Sequence, residues 1–474
     1  LSCKWEYDTT TGAMVIKPAE GFENSASFTN SSALKDKVAA AGITWTSITS
    51  FAVEIPEGCS NIKAKGSLES FFYSCKALAQ ASLGGLDTSG VTNLYRFFGG
   101  CEAITQASFP GWDTSNVTSM YDIFSGASKV QTIDLTSFDF SNVTDSTGMF
   151  WKNYELTTIK VAPDCFFPSV TKSDGMFGNC TNKLKGGAGT TWNSTYTDVQ
   201  GGCIDRIKDS GTWGVNTGYF TCETPVCRNI RTGEQYSFID LAIAAATTGD
   251  TIEVFADSQM PITVNTQANN KNLTITSNNT TKPKVYLTGS PTLYHQFTFS
   301  GGNNVTFENL DFDGLNNFFH FWLNDASSIT FNNCVIENIN NASNTEAWKY
   351  APLMVQAPST LTLNDSLLTN LHTGATTTHN KGGGGALFAR VSATINVNNT
   401  TIDQCGTYNN STDWFAGPIR MDGGTLNFNS GKITNSLGSC GIINVGSPNT
   451  NHTTTVNIND GEFTNNKANW GGMV

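Results

Sequence analysis

Residues 112–124 read WDTSNVTSMYDIF and residues 138–150 read FDFSNVTDSTGMF, so one sequence motif recurs after 26 residues. The phenylalanine that ends this motif recurs along the first third of the chain. Its spacings are 26, 26, 26 and 27 residues, at Phe72, Phe98, Phe124, Phe150 and Phe177. A fixed period of this length predicts a solenoid, in which each coil buries its apolar face only against neighbouring coils.

Further columns of apolar residues recur with the same period as the phenylalanine column. They lie six, nine and eleven residues after it in successive repeats. The first of them consists of Leu78, Ile104, Val130 and Leu156. We therefore expect a stack of short coils that turn at Asp-Thr-Ser-Asn segments, where polar side chains bond nearby backbone groups.

The second half of the chain carries a different repeat, at intervals of 24 to 34 residues. Apolar and polar residues alternate in each copy, which predicts strands with one face inward. The copies begin at Leu273, Val305, Ile329, Leu361, Ile395, Leu426 and Val456. A second strand of each coil is predicted at Phe312, Ile336, Leu368, Ile402, Ile433 and Phe463. This pattern predicts a parallel β-helix.

An amide side chain follows each of these second strands. The positions are Asn338, Asn370, Gln404, Asn435 and Asn465. Because an amide both donates and accepts hydrogen bonds, a ladder of stacked amides is expected to satisfy backbone groups of the turns.

The composition indicates a chain that works outside the cell. The 474 residues carry a net charge of −12, which excludes polyanions such as nucleic acid as partners. The even count of 12 cysteines fits an oxidising compartment. The sequence contains no apolar run long enough to span a membrane. Residues 470–474 resemble the start of a new coil, so we expect the natural protein to continue.

Sixteen Asn-x-Ser/Thr sequons favour a secreted glycoprotein. A chain this rich in Asn, Ser and Thr also produces sequons by chance, so actual glycosylation is left open. The glycosylation candidates are Asn30, Asn116, Asn142, Asn179, Asn193, Asn272, Asn279, Asn304, Asn341, Asn364, Asn399, Asn410 and Asn451.

With its repeats aligned, the first half resembles the BspA-like leucine-rich-repeat surface proteins. The repeat unit of that family resembles Trp112–Thr118 followed by Ile123-Phe124, and Phe138–Thr144 followed by Met149-Phe150. The segment from Cys3 to Ile16 resembles the family's capping hairpin. The closing segment of the family is matched by 186–190, 204–205 and 218–221. The resemblance implies a surface-exposed binding or adhesive module and supplies no catalytic residues.

Three regions follow from these patterns: an N-terminal cap over 1–65, repeats with a closing segment over 66–222, and a parallel β-helix over 223–474. In the last region Ser237 precedes a helical run that ends at Gly249, followed by a strand over 251–255. A helix placed there would cover the open apolar end of the first coil. This entry resembles that of right-handed β-helices of the pectate-lyase-like superfamily, and residues 463–472 loosely resemble outer-membrane adhesin repeats.

The cysteine spacing suggests disulfides. Cys75 and Cys101 share one phase of consecutive coils, where equivalent positions lie about 5 Å apart. We predict a Cys75–Cys101 bridge, with two buried free thiols as the alternative. Cys405 and Cys440 lie at comparable points of consecutive coils and are a second candidate pair. The remaining candidate positions are Cys3, a cysteine assigned to position 58, Cys203 and Cys222.

The best candidate for chemistry is an acidic column of the second repeat, formed by Asp313, Glu337 and Asp403. Carboxylates about 5 Å apart suit glycoside hydrolysis or Ca²⁺ binding. Solvated acids are favoured, because residue 369 interrupts the column with a threonine. The Gly-His-Gly and Asn-Thr-Asp motifs of polygalacturonases are absent from the sequence. We expect no enzyme activity and no cofactor.

These observations favour a non-enzymatic, extracellular or cell-surface protein that acts in adhesion or in an extracellular assembly. Its expected partners are other surface proteins or glycans. One alternative is a filament subunit that self-associates end to end through its solenoid ends. Another is a β-helix that binds or cleaves polysaccharides, with Trp322, Trp348 and Trp414 as stacking residues.

Overall fold

The structure is a computed structural model of the 474-residue chain. It describes residues 2–205, 217–261, 264–266, 271–288, 297–341, 351–374, 385–408, 417–438, 441–446 and 452–468. These residues form a mainly β fold with several parallel sheets. The chain divides into two compact units, Leu1–Glu223 and Thr224–Val474.

The first unit opens with an antiparallel hairpin, in which Cys3–Tyr7 pairs with Ala13–Pro18. The later strands pair in parallel with strands of neighbouring coils. The first sheet has the order Cys3–Tyr7, Ala13–Pro18, Ser50–Val53, Gln80–Ser82, and the second Gln106–Ser108, Thr132–Leu135, Thr158–Val161, Phe220–Thr221. A third sheet joins Ser27–Asn30, Ile62–Ser67 and Leu86–Asn93. The helical elements are Ser31–Ala40 and the short 3₁₀ turns Trp45–Ser47 and Val199–Gly201.

The phenylalanine column forms the interior of the first unit. All five rings are fully buried, and consecutive rings stack with centroids 5.2 to 6.0 Å apart and planes within 19° of parallel. Offset stacking at this spacing is favourable for aromatic rings. The predicted column is therefore confirmed as a continuous aromatic stack.

A buried carboxylate organises the closing segment of the first unit. Asp205 accepts hydrogen bonds from the backbone N–H groups of Ala188 and Thr190, both at 2.9 Å, and from the Thr190 hydroxyl at 2.8 Å. Gly186 lies so close that a Cβ atom there would be 2.4 Å from the carbonyl oxygen of Gly218. Only glycine permits this approach of two backbone segments.

In the second unit the chain visits three sheets in rotation. Sheet 1 runs through Gln235–Tyr236, Cys227–Asn229, Thr251–Val254, Asn272–Thr276, Asn304–Glu308, Ser328–Asn332, Thr360–Asn364, Thr394–Asn398, Gly424–Phe428 and Thr454–Ile458. Sheet 2 runs through Ser258–Pro261, Lys284–Thr288, Asp311–Asn317, Val335–Asn341, Leu367–Gly374, Thr400–Asp403, Gly431–Thr434 and Glu462–Thr464, with Gly406–Tyr408, Leu437–Gly438 and Lys467–Ala468 alongside. Sheet 3 runs through Val264–Thr266, Phe297–Phe299, Phe321–Leu323, Leu353–Val355, Leu387–Arg390, Ile419–Asp422 and Ile443–Val445.

The register of these strands agrees with the sequence repeat. Within sheet 1, the first apolar residue of each copy pairs with that of the next, from Leu273 through to Val456. Within sheet 2 the pairing runs from Phe312 through to Phe463. The apolar residues of the sheet 1 strands face a common buried core, and their polar neighbours face outward.

A short helix precedes the first parallel strand of the second unit. It spans Ile239–Ala245, so it ends before the predicted stop at Gly249, and it buries Ile239, Ala242 and Ile243 in the core. Phe238, not Ser237, occupies the N-terminal capping position, and it makes no side-chain capping bond. At the other end, the Lys271 ammonium donates to the carbonyl oxygens of Ile243 and Ala244. A cation at this end is favourable because helix carbonyls there lack backbone partners.

The predicted amide positions all have left-handed backbone, at φ between 49° and 56°, either within a sheet 2 strand or directly after one. Asn370 donates to the side-chain oxygen of Asn338 at 2.8 Å, and Asn465 donates to Asn435. The ladder is interrupted at Gln404, because Asn435 donates instead to Asp403. Two of these amides donate to another amide of the series and three donate to an aspartate, rather than to the turn backbone, which corrects the predicted role.

A second amide ladder runs along sheet 1 and was not predicted. Asn364 donates to Asn332 and Asn398 donates to Asn364, both at 2.7 Å. Asn429 and Asn459 continue the series at 2.8 and 2.7 Å. Each coil is thus bonded to its neighbour through side chains as well as backbone.

Candidate functional site

The acidic column lies on the outer surface of sheet 2 and surrounds a lysine. Strand pairing places Asp313 beside Glu337, and Lys284 beside Asp311. The Lys284 ammonium lies 2.8 Å from Glu337, 3.2 Å from Asp313 and 3.6 Å from Asp311. Asp313 also accepts bonds from the backbone of Leu315 and the amide of Asn338, at 2.9 and 3.1 Å.

The cluster shifts the pKa of two of its members. Burial alone lowers the pKa of Lys284, but the hydrogen bond to Glu337 and the charges of both aspartates outweigh it, so the pKa is raised. For Asp311, burial and the neighbouring charge of Glu337 raise the pKa to about 6, although Lys284 acts in the opposite direction. At neutral pH the fold therefore holds Asp311 ionised at a cost.

We expect Asp311→Asn to stabilise the protein at neutral pH. The folded pKa of Asp311 is above its ordinary value of 3.8, so its favourable contribution is complete below about pH 4 and is lost as the pH rises through 6. The substitution should raise the free energy of unfolding at pH 7.5 by about 1 kcal/mol, after allowance for solvent screening, and leave it unchanged at pH 3.5. Urea titrations at the two pH values measure this difference.

Asp403 is the control for this prediction, because its pKa is shifted the other way. Burial raises the pKa of Asp403, but hydrogen bonds from Thr434, Asn435 and Gln404 outweigh burial and lower it. Asp403→Asn should therefore lose stability at pH 7.5. Equal responses of the two variants would contradict the assignment of Asp311 as a strained carboxylate.

The structure brings together only part of the predicted acidic column. Asp313 and Glu337 share Lys284, whereas Asp403 is separated from Glu337 by the coil of Thr369. Asp403 instead bonds Thr434 and Asn435, both at 2.7 Å. The predicted column included neither Lys284 nor Asp311. In their strands, Lys284 and Asp311 each lie two residues before the position that belongs to the acidic column. Side chains two residues apart in a strand face the same side of the sheet, so this spacing is the sequence signal that identifies them.

Lys284 determines what the cluster can do. Its ammonium occupies the position between the carboxylates where a calcium ion or a proton-sharing partner would have to lie. The described ranges contain no group of three or more His, Cys, Asp or Glu side chains arranged to hold a metal ion. The arrangement is that of an ion-pair network joining three coils.

The predicted Cys75–Cys101 disulfide is not present, and no disulfide joins the cysteines that the structure describes. The Cys75 thiol donates to the carbonyl oxygen of Trp45, and Cys101 donates to that of Phe72. Side chains at one phase of stacked coils point in parallel, and a disulfide needs Cβ atoms that converge to about 3.8 Å. Burial raises the pKa of both thiols, which makes them unreactive.

The disulfide candidate assigned to position 58 is wrong. That position holds Gly58, and the cysteine is the next residue, Cys59. The backbone at Gly58 has a φ of 81°, in the left-handed region that favours glycine, so a cysteine there would be strained. Cys59 itself is half-buried and free.

The other candidate cysteines are distributed over both units. Cys405 is buried and donates to the carbonyl oxygens of Leu368 and Asp403, while its proposed partner Cys440 lies outside the described residues. Cys3 is buried. Cys203 and Cys222 lie near the buried thiol of Cys165, and burial together with neighbouring charges raises the pKa of Cys165.

The sequon asparagines occupy very different environments. Asn341 is fully buried, and its side-chain nitrogen donates to the carbonyl oxygen of Phe319 at 3.0 Å, so the fold leaves no room for a glycan there. Exposed positions are Asn116, Asn142, Asn179, Asn193, Asn272, Asn279, Asn304 and Asn399, and Asn364 is half-buried. The side chain of Asn30 and the residues Asn410 and Asn451 lie outside the described part. Glycosylation of the exposed sites stays a prediction.

Comparison with known proteins gives one match. Residues 66–189 match the family DUF285, described as Mycoplasma protein of unknown function. No curated protein and no solved structure matches the chain. Among the residues that the structure describes, no helix combines the length and apolar character needed to cross a bilayer.

Proposed function

We propose that this chain is a non-enzymatic protein of the cell surface, acting in adhesion or as a structural component of an extracellular assembly. In this proposal both units are solenoids: the first resembles leucine-rich repeats, and the second is a right-handed parallel β-helix of adhesin type. The match of residues 66–189 to DUF285 is compatible with a surface role.

The observation that carries the proposal is the contrast between the interior side chains and the outward-facing side chains. Interior positions are apolar and buried coil after coil, while outward positions form amide ladders and an acidic cluster bound to a lysine. Side chains bonded to one another in this way hold a surface in shape rather than move protons. A rigid display surface suits binding and assembly.

Surface staining tests the location. Antibody raised against the full chain should label intact, unpermeabilised cells of the source organism, and brief external protease should remove the label. Cells expressing the chain should also adhere to host or neighbouring surfaces better than cells lacking it. Label that appears only after permeabilisation would contradict the proposal.

Incubation with polysaccharides tests the absence of catalysis. The full chain is mixed with polygalacturonate, pectin and xylan, and new reducing ends and unsaturated products are measured. We expect no release above the blank. Release that disappears in Glu337→Gln, with Glu462→Gln as an exposed control, would instead assign hydrolysis or elimination to the acidic cluster.

A further inference from the structure

A row of aromatic rings at the surface crosses successive coils of the first unit, with Tyr73 and Trp151 exposed and the two rings between them half-buried. We call Tyr73, Tyr95, Arg96, Tyr121 and Trp151 the aromatic strip. Arg96 joins its members, since its guanidinium lies 5.5 Å from the ring of Tyr73, 4.9 Å from Tyr95 and 5.8 Å from Tyr121. Tyr95 and Tyr121 stack at 4.9 Å with planes 17° apart.

Trp151 continues the strip on the next coil. A Cβ atom placed on Gly148 would contact the carboxylate of Asp122 and lie 3.8 Å from the Trp151 Cβ, so Gly148 lies between these two side chains. Asp122 in turn binds Arg96, with Nε to Oδ2 at 3.2 Å. The small residue Gly148 thus separates Trp151 from the Arg96–Asp122 pair. The two ends of the strip are open to solvent, because Tyr73 is 44% and Trp151 37% exposed.

Glycines allow both end rings to lie against the neighbouring coil. A Cβ atom on Gly99 would be 3.0 Å from the ring of Tyr73, and one on Gly178 would be 2.6 Å from the ring of Trp151. Any larger residue at these two positions would push the ring away from the surface. The backbone of the neighbouring coil thus supports each ring from one side.

Two of the cations around the strip are already paired with carboxylates. Arg96 is paired with Asp122, and Lys76 is paired with Glu102 at 2.8 Å. A polyanion would have to break these pairs within a chain of net charge −12, which opposes its approach. Lys152 lies 4.0 Å from the ring centroid of Trp151, where a cation–π contact holds it. A neutral ligand suits this surface best.

We propose that the aromatic strip binds a neutral polysaccharide. The C–H faces of pyranose rings would stack on Tyr73 and Trp151, and Arg96 and Asp122 would hydrogen-bond the hydroxyl groups between them. Tyr73 and Trp151 share one phase of the repeat three coils apart, or about 14 Å at the usual strand spacing. This separation requires an extended chain of sugars. The assignment deepens the proposed surface function and rests on it.

A protein partner is the competing occupant, since tyrosine, tryptophan and arginine also dominate protein interfaces. A stable protein interface engages about 20 to 30 residues on each side. The strip is a narrow row of five side chains with glycine beside it, which matches a linear polymer better than a broad patch.

Affinity electrophoresis of the full chain tests the assignment. Native gels contain galactomannan, mixed-linkage β-glucan, glycogen or hydroxyethyl cellulose, and parallel gels contain polygalacturonate or heparin. We expect retardation in at least one neutral gel. Tyr73→Ala and Trp151→Ala should each weaken the affinity about tenfold, and the double variant more. Phe22→Ala removes an equally exposed ring, 43% accessible and outside the strip, and should have no effect.

Conservative variants separate stacking from folding. Tyr73→Phe and Trp151→Phe keep a ring and should retain most of the affinity, while circular dichroism confirms that the alanine variants are folded. Retardation only by acidic polymers, no retardation in any neutral gel, or equal retardation of the double variant would each overturn the assignment.

Treatment of a target cell surface distinguishes the two occupants. Binding that is destroyed by periodate, which cleaves vicinal diols, but survives protease supports a glycan. Binding that survives periodate, disappears with protease and requires Tyr73 and Trp151 would assign the strip to a protein and overturn the proposal. Surface staining of intact cells is independent of both results, so the surface role can stand when the glycan assignment fails.

Discussion

Phe124→Ala is expected to destabilise the first unit by about 3 to 5 kcal/mol. The ring is fully buried between Phe98 and Phe150, at 6.0 and 5.9 Å, and meets Phe109 edge-on at 5.8 Å. Truncation leaves a cavity that neighbouring rings cannot fill, because each is held by its own coil. The position is also in the middle of the stack, so coils on both sides lose contact.

Hydrogen exchange followed by mass spectrometry measures this effect within the full chain. Peptides of the first unit should exchange faster in Phe124→Ala, and peptides from 227–261 should be unchanged. Phe22→Ala, an identical change at an exposed position, serves as the control and should cost less than about 0.5 kcal/mol. Phe124→Ala with parental protection in both units would show that the aromatic stack does not stabilise the fold.

Asp250→Asn is expected to destabilise the second unit by about 3 kcal/mol at pH 7. Asp250 is buried and accepts hydrogen bonds from Asn229 at 2.7 Å and from the backbone N–H of Thr247 at 2.9 Å. Arg231 binds both carboxylate oxygens from the surface. The network fixes the turn between the helix and Thr251–Val254. The side-chain NH₂ group of an asparagine at position 250 would point toward other hydrogen-bond donors, in place of the acceptor oxygen that they now bind.

The effect should depend on pH in a defined direction. The hydrogen bond from Arg231 is the main cause that holds the pKa of Asp250 far below its ordinary value of 3.8. A depressed folded pKa stabilises the protein above pH 4, and this contribution is lost as the pH falls below that. Urea titrations at pH 7 and pH 3 should therefore show a smaller difference between Asp250→Asn and the parent at the lower pH.

Asp460→Asn is the matched control, since Asp460 is an exposed carboxylate of the same unit. It should change the free energy of unfolding by less than about 0.5 kcal/mol at either pH. A loss in Asp250→Asn that stays constant from pH 7 to pH 3 would mean that packing, not charge, explains the effect.

The repeats made the interior predictable from the sequence. Phe72 to Phe177 and the two strand series from Leu273 and Phe312 lie in register because a side-chain period fixes which residues face inward. Residues that share a phase of the repeat are stacked, even where the loops between them differ in length. The same logic located Asp313 beside Glu337.

Side-chain direction was harder to predict than position. Cys75 and Cys101 are neighbours in phase, yet parallel side chains each bond a carbonyl of the preceding coil, so proximity alone did not imply a disulfide. Lys284 was missed because its strand, Lys284–Thr288, precedes the copies in which the acidic residues recur. Its role depends on ion pairs with carboxylates of the next two coils, and the residue pattern within one strand does not indicate such pairs.

The aromatic strip was also missed. Tyr73 and Trp151 share one phase, but glycine and serine occupy the intervening copies, so no column of aromatic residues is visible in the sequence. Tyr95 and Tyr121 stand at another phase and meet Tyr73 only through Arg96. Trp348 and Trp414, which the sequence suggested for sugar stacking, lie outside the described residues.

The phenylalanine stack has a mechanical consequence. In the proposed solenoid each ring contacts only the coils next to it, so a pulling force would load one interface at a time rather than the whole unit. Detaching one 26-residue coil would release about 90 Å of chain. A molecule tethered between two surfaces would then lengthen in uniform steps under load and shorten again when the load falls, which lets an attachment yield without breaking.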